Sequence, residues 1–246
     1  MSTTDKKVLT SMIEAGCHFG HRVSKWNPKM RKYLYDKRDG IHMFDLTKTA
    51  AKLDVACDFL RESCAAGKSV LLVSTKLQAI KILTEAATST DSPYITKKWI
   101  PGILTNFDTV KRRIKYFKDL KEQKANGEWE EKYTKKECVE LGRTLKKLQD
   151  AFSGVEHMHR VPDVVVVLDA VRDRLALKES KRLGIPTVGL CDSNADPDLL
   201  TYIVPGNDDA VKSLAFFAGE FKKAIAEGKH RAGAMKKPEL HEKAAI

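Results

Sequence analysis

The sequence predicts an α/β fold: a doubly wound parallel sheet with an antiparallel α-helical hairpin inserted into it. Three observations lead there. Short runs of continuous apolar residues recur, residues 69–73 and 163–168 being the clearest. A run without alternation is what a strand covered on both faces requires. Helix-spaced stretches separate these runs, and strands alternating with helices imply βαβ units with right-handed crossovers. Finally, residues 103–153 interrupt the alternation with two long charged stretches that carry narrow apolar stripes.

Taken in order, a short helix is expected near residues 11–15. Residues 16–40 contain Gly16, Gly20, Pro28 and Gly40 with little periodicity, and read as an irregular arm. Residues 41–45 read as a strand. Thr47 or Thr49 can cap a helix over about 48–66, in which Leu53, Ala56, Cys57, Leu60 and Cys64 are helically spaced and after which Gly67 is a stop signal. The strand at 69–73 leads to a helix over 76–88 and a weak strand at 94–96. Past the insertion come a strand at 163–168, a helix over 172–183 ending at Gly184, a strand at 187–190, a turn-rich stretch at 192–197 and a strand at 202–204. Asn207 or Asp208 can cap a last helix to about 227. In the insertion, Phe107, Val110, Ile114 and Phe117 are spaced 3, 4, 3, and Cys138, Leu141, Leu145, Leu148 and Phe152 are spaced 3, 4, 3, 4. That spacing is the seam of a coiled coil, and Asn126-Gly127 supplies a turn between its arms. The expected organisation is a helix and basic arm over 1–40, a sheet domain over 41–102 and 154–228, the hairpin over 103–153, and a tail over 229–246.

Charge locates the partner. The 246 residues carry 44 Lys and Arg against 33 Asp and Glu, a net charge of +11. Residues 20–48 hold +5, residues 97–150 hold +6 and residues 221–246 hold +4, whereas residues 151–220 hold −4. A localised cation excess points to a polyanionic partner. A hydrophobic content of 42% excludes a disordered chain, and no apolar run approaches the ~20 residues a membrane helix needs. Residues 1–7 have no apolar stretch behind them, so no secretory signal is expected. The 5 cysteines are dispersed without a CxxC pair, which suits a reduced cytoplasmic setting.

Catalytic and metal motifs fail one by one. Gly67-Lys68-Ser69 resembles the end of a phosphate-binding loop, but Glu62 stands where that loop needs a glycine, and the helix precedes the strand. The turn at 46–48 has no glycine to admit a pyrophosphate. The alternative reading, a nucleotide-binding α/β enzyme, therefore lacks its cradle. Cys17, His18 and His21 would need a second ligand pair for zinc, and only His157 and His159 are available. Asp192, Asp196 and Asp198 could hold a hard cation such as magnesium, although turn capping is the better explanation of them. No cofactor is expected. The positive signal is Arg22, Lys25, Lys29, Arg31 and Lys32 around Trp26, with Tyr33 and Tyr35 following. Lys97-Lys98-Trp99 repeats it, and Lys111, Arg112, Arg113 and Lys115 extend it. Basic side chains neutralise phosphates while aromatic faces stack on bases.

These residues also resemble a known family. Glu14-Ala-Gly-Cys-His-Phe-Gly-His21, Trp26-Asn-Pro-Lys-Met30 and Ile41-His42 are similar to the N-terminal signature of the bacterial small-subunit ribosomal protein S-two family. Trp99-Ile-Pro-Gly-Ile-Leu-Thr-Asn106 resembles its second signature. Thr134-Lys-Lys-Glu137 resembles part of its hairpin. Gly184-Ile-Pro-Thr-Val188, Asp192-Ser-Asn-Ala-Asp-Pro197 and Ile203-Val-Pro-Gly-Asn-Asp-Asp-Ala210 resemble its C-terminal signatures. The likeness spans about residues 8–228. It implies a flavodoxin-like (Rossmann-like) sheet with a protruding coiled coil, and a structural, non-enzymatic role between the head and body of the small ribosomal subunit. It also implies small-subunit rRNA as partner, neighbouring ribosomal proteins including the mRNA-binding protein S-one, and neither membrane nor small-molecule substrate. The rRNA contacts expected are His18, His21, Arg22, Lys25, Trp26, Asn27, Lys29, Arg31, Lys32, Lys97, Lys98, Trp99, Asn106, Lys111, Arg112, Arg113 and Lys115. Cys17 and Pro101 depart from the usual aliphatic residue and glycine, but neither removes a cation. The segment 236–246 matches nothing in the family.

Overall fold

The computed structural model describes residues 3–236. Helix α1 (Thr3–Glu14) is longer than the short helix expected and leads into the basic arm. The arm is ordered rather than irregular. Strands β1 (Phe19–Arg22), β2 (Leu34–Arg38) and β3 (Ile41–Phe44) form an antiparallel sheet in the order β1-β3-β2. Asp39 and Gly40, with φ of 51° and 74°, join β2 to β3. Two consecutive left-handed residues are what a two-residue hairpin of right-handed twist demands, and Asp-Gly is a preferred pair there. The turn signal was in the sequence. The strand expected at 41–45 is β3, but β2 hid because it is exposed at four of its five positions, leaving no apolar alternation.

The main sheet contains β4 (Val70–Val73), β5 (Tyr94–Ile95), β6 (Val164–Val167), β7 (Thr187–Cys191) and β8 (Tyr202–Pro205). All neighbours are parallel, in the order β5-β4-β6-β7-β8. The chain-order sequence 2-1-3-4-5 is the flavodoxin-like winding, and its switch point lies between β4 and β6. Val70–Val73 pairs residue for residue with Val164–Val167. Alternate side chains serve two cores. Val70, Leu72, Val164 and Val166 pack with α2 (Leu46–Ala65), α3 (Ile80–Ser89) and α8 (Val211–Lys236). Leu71, Val73, Val165 and Val167 pack with α7 (Arg174–Arg182), with Met30 and Tyr33 of the arm, and with the insertion. The apolar parts of both basic segments therefore cover one face of the sheet.

Two boundaries differ from expectation. Helix α2 begins at Leu46 because Asp45, not Thr47 or Thr49, accepts the Thr47 amide proton at 3.0 Å. Helix α8 does not end near 227, so residues 229–236 are helical rather than tail, and 237–246 lie outside the described residues. Gly228 lies within this helix. It is buried in α8, and a Cβ there would sit 2.4 Å from the Arg61 carbonyl oxygen and 2.6 Å from Cys64 Cβ, so the glycine lets α8 lie close against α2.

Between β5 and β6 the chain forms α4 (Phe107–Ala125), α5 (Glu128–Lys132) and α6 (Lys135–Phe152). The expected stripe supplies the buried Val110, Ile114, Phe117, Leu145, Leu148 and Phe152, with Phe107, Cys138 and Leu141 packed against them. The tip is more than a two-residue turn. Gly127, at φ 75°, ends α4, and α5 follows with Trp129 buried beneath it. Thr134 and Glu137 then start α6 with a reciprocal capping box.

Candidate nucleic-acid interface

The arm is pinned across the ends of β7 and the turn after it. The His21 amide donates to Asp192 Oδ1 at 3.0 Å and to Ser193 Oγ at 2.9 Å, while His21 Nδ1 meets Asp192 Oδ2 at 2.7 Å. The Asn27 amide donates to the Ser193 carbonyl at 2.7 Å. Lys29 Nζ lies 3.0 Å from Asp196 and 2.6 Å from Asp198. Gly20 permits the approach, since a Cβ there would lie 3.0 Å from Ser193 Oγ and 3.1 Å from the His42 carbonyl oxygen. His21 and Lys29, two expected rRNA contacts, thus meet carboxylates of their own chain, Lys29 while half of its side chain stays exposed. The three aspartates considered as cation ligands are the groups that engage them.

The hydrogen bond that His21 donates to Asp192 raises the pKa of His21, against the opposing effect of burial. A His with a raised folded pKa contributes stability that is complete below its unfolded value of ~6.5 and is lost as pH climbs through the folded value. Replacing His21 by Leu is expected to cost about 2 kcal/mol at pH 6, the scale of a hydrogen bond to a charged group. The cost should shrink at pH 9, as read by urea denaturation at both pH values.

Other arm cations remain free. Arg22, Lys25 and Arg31 are exposed and make no ion pair among the described residues. Lys32 lies over its neighbour Tyr33, 5.1 Å from the ring centre. Trp26 is half-buried with its ring 5.0 Å from that of His42. Asn27 accepts the Lys29 amide proton at 3.1 Å and thereby shapes the turn. His18 is half-buried, its pKa is lowered by burial, and its Nδ1 is buried without a hydrogen-bond partner among the described residues.

The second basic segment is built from beneath by one carboxylate. Trp99, expected at a stacking surface, is instead 7% exposed, and its Nε1 donates to Glu179 at 3.0 Å. The same carboxylate accepts from the amides of Gly102, Leu104 and Thr105 at 2.9, 3.1 and 3.3 Å, and from the Thr105 hydroxyl at 3.3 Å. Burial alone would raise the pKa of Glu179, but these donors outweigh it and hold the carboxyl below the ordinary glutamate value. Trp99 and Glu179 thus set the entry into α4, leaving Lys97 and Lys98 exposed.

Helix α4 turns its apolar stripe inward, so its cations divide between two flanks. Lys111, Arg112, Lys115 and Lys118 line a cavity of about 490 Å³ with Met158 and His159. Arg113 lines another of about 410 Å³ with Lys147 of α6. None of these six cations makes an ion pair among the described residues. Lys118 and Lys147 were not singled out from sequence. The helical spacing of Lys118 from Lys111 and Lys115 was a usable signal, whereas Lys147 depends on how α6 lies against α4. Asn106 precedes α4 at the capping position, is exposed, and bonds none of the helix amides through its side chain.

The switch-point crevice, where sheets of this winding bind phosphates, is filled by the protein itself. Lys76 Nζ lies 2.7 Å from Asp208, 2.7 Å from Asp209 and 3.1 Å from Asp169, with Lys76, Asp169 and Asp208 all buried. Beside it, Asp173 accepts from the Thr75 amide at 3.1 Å and hydroxyl at 2.7 Å. His21, Asp192, Asp208 and Asp209 bring potential ligand atoms within 4.8 Å of one another, but the Lys76 ammonium already serves two of these carboxylates.

Fold and surface together define a doubly wound α/β scaffold whose ligand crevice is closed by internal ion pairs and whose unpaired cations lie outside the sheet. The sequence model of the family described as Ribosomal protein S2 matches residues 12–228. The chain belongs to that family. It is 42% identical over 223 residues to the small ribosomal subunit protein uS2 of Roseiflexus sp. (strain RS-1), covering 91% of this chain and 85% of the relative. It is 42% identical over 222 residues to the uS2 of Dictyoglomus thermophilum, covering 90% of each. With the uS2c of Cyanophora paradoxa it shares 43% over 222 residues, 90% of this chain and 95% of the relative. The protein is therefore a structural component of the small ribosomal subunit, not an enzyme, and works within the ribosome.

Proposed function

We propose that the arm and the base of the insertion anchor the protein on small-subunit rRNA. The α/β body is the rigid support and docks neighbouring proteins, the mRNA-binding protein S-one among them. One observation carries this reading: Arg22, Lys25, Arg31, Lys97, Lys98, Lys111, Arg112, Arg113 and Lys115 are exposed and have no carboxylate partner among the described residues. Cations left unpaired by their own protein release counterions when they meet phosphates. Helices α4 and α6 act as a coiled-coil hairpin, a reading supported by their 3,4-spaced apolar residues. This reading needs no cofactor, and the pairing of Asp192 with His21 and of Asp196 and Asp198 with Lys29 supports it.

The test is binding to small subunits stripped of this protein, measured across a salt series. The wild type is expected to bind with a steep log–log salt slope. Replacing Lys111, Arg112 and Lys115 together by Ala is expected to reduce that slope by about 2, since each phosphate left unneutralised removes ~0.7–0.9. Lys29→Ala is expected to leave the slope nearly unchanged, since Lys29 is occupied by Asp196 and Asp198. A flat salt response of the wild type would overturn the rRNA reading.

A further inference from the structure

We propose that the slot between the 100–102 turn, the start of α4 and the end of α6 receives a single unstacked nucleotide of the rRNA. This rests on the rRNA reading above and adds a site where a base, not only a phosphate, is held. The slot measures about 410 Å³, within the ~300–1,000 Å³ range of small-ligand sites. The buried Val110, Leu148 and Phe152 give it an apolar floor, and Ile100, Pro101 and Ala151 also line it. A base presents two apolar faces to such a floor. Its edge needs hydrogen-bonding groups, and Asn106 and Thr109 line the slot. The Asn106 side chain is unused by the helix it precedes, so its donor and acceptor are both available.

Charge selects a nucleotide over a side chain from a neighbouring protein. Arg113 and Lys147 stand on opposite helices at the slot, neither ion-paired among the described residues, and no carboxylate lines it. The cavity on the other flank of α4 differs, for Asp108 and Glu156 are among its lining residues. An apolar floor flanked by two free cations and no anion suits a base whose own backbone phosphates lie on either side. Lys111, Arg112, Lys115 and Lys118 line the cavity on the other flank, so the start of the helix stands as a ridge between two stretches of nucleic-acid backbone.

The experiment uses the full chain and small subunits stripped of it. Ala151→Phe fills the slot without touching a cation. It is expected to weaken binding about ten-fold, the scale of losing one stacked base. The salt slope should stay the same, because every cation that meets a phosphate is still in place. Base-specific chemical probing should show one unpaired base protected by the wild type and reactive with the variant, while hydroxyl-radical protection of the surrounding backbone persists. Thr109→Tyr, filling the slot from the other side, should do the same, and thermal melts establish that each variant is folded. Backbone protection by the wild type without any protected base would overturn the slot and leave rRNA binding standing. No backbone protection at all would overturn both. Weaker binding by a folded variant with unaltered base reactivity would overturn the nucleotide and assign the slot to a neighbouring protein.

Discussion

Replacing Lys76 by Met is expected to cost the fold about 3–5 kcal/mol at pH 8, the usual scale for removing one partner of a buried ionic cluster. Three carboxylates would lose their common ammonium at the switch point, two of them buried. The loss should be smaller at pH 5. Burial and the neighbouring Asp169 and Asp192 already raise the pKa of Asp208 to about 7, although Lys76 pulls the other way. Without Lys76 the Asp208 carboxyl would rise further and be neutral at pH 5. A carboxyl with a raised folded pKa contributes stability that is complete below its unfolded value and lost as pH climbs through the folded one. Urea denaturation of wild type and variant at pH 5 and pH 8 gives the comparison. An equal deficit at both would mean that packing of the Lys76 stem, not carboxylate repulsion, sets the cost.

The second large effect is expected at Glu179. Ala at this position should destabilise the protein by about 3–5 kcal/mol, because the indole of Trp99 and the amides of Gly102, Leu104 and Thr105 would lose their acceptor together. Glu179→Gln keeps the shape but turns an NH₂ toward donors, and should cost about 2 kcal/mol at neutral pH. Glu179 has a lowered pKa, so its contribution is complete above the unfolded value of ~4.3 and disappears as pH falls through the folded one. The gap between wild type and Glu179→Gln should therefore close in acid. The glutamine variant should also bind stripped subunits more weakly although every cation remains, since residues 99–106 position the start of α4. Unchanged binding would show that α4 is held by its own stripe alone.

The parallel sheet was legible because its strands are short and continuously apolar, as Val164–Val167 shows, and because helix spacing filled the gaps. The insertion was legible from Val110, Ile114, Phe117 and Leu145 at heptad-like intervals. The small sheet of the arm was legible only in β3, read as a strand at 41–45, since β1 and β2 carry no apolar alternation and only Asp39-Gly40 marks the hairpin. At the interface, clusters of Lys and Arg showed where cations are dense but not which of them are free. Whether Lys29 faces solvent or Asp196 depends on a hydrogen bond spanning 167 residues. Trp99 was misread for a similar reason: the two lysines that precede it say nothing of a glutamate 80 residues away. The switch-point cluster escaped notice because Lys76, Asp169 and Asp208 come from three separate loops.

The docking of the arm also sets an order of events while the chain is being made. His21 and its anchor Asp192 are 171 residues apart. Asn207, whose side-chain amide donates to the Gly16 carbonyl at 3.0 Å and whose backbone amide donates to the Cys17 carbonyl, comes later still. At ~5–20 residues per second, the arm emerges roughly 10–35 s before His21 can meet Asp192. For that interval Arg22, Lys25, Lys29 and Arg31 form an untethered polycation, and even Lys29 lacks the aspartates that later occupy it. The newborn arm is thus at its most adhesive toward any nearby polyanion before the body has closed, and completion of β7 and β8 is what withdraws part of that charge.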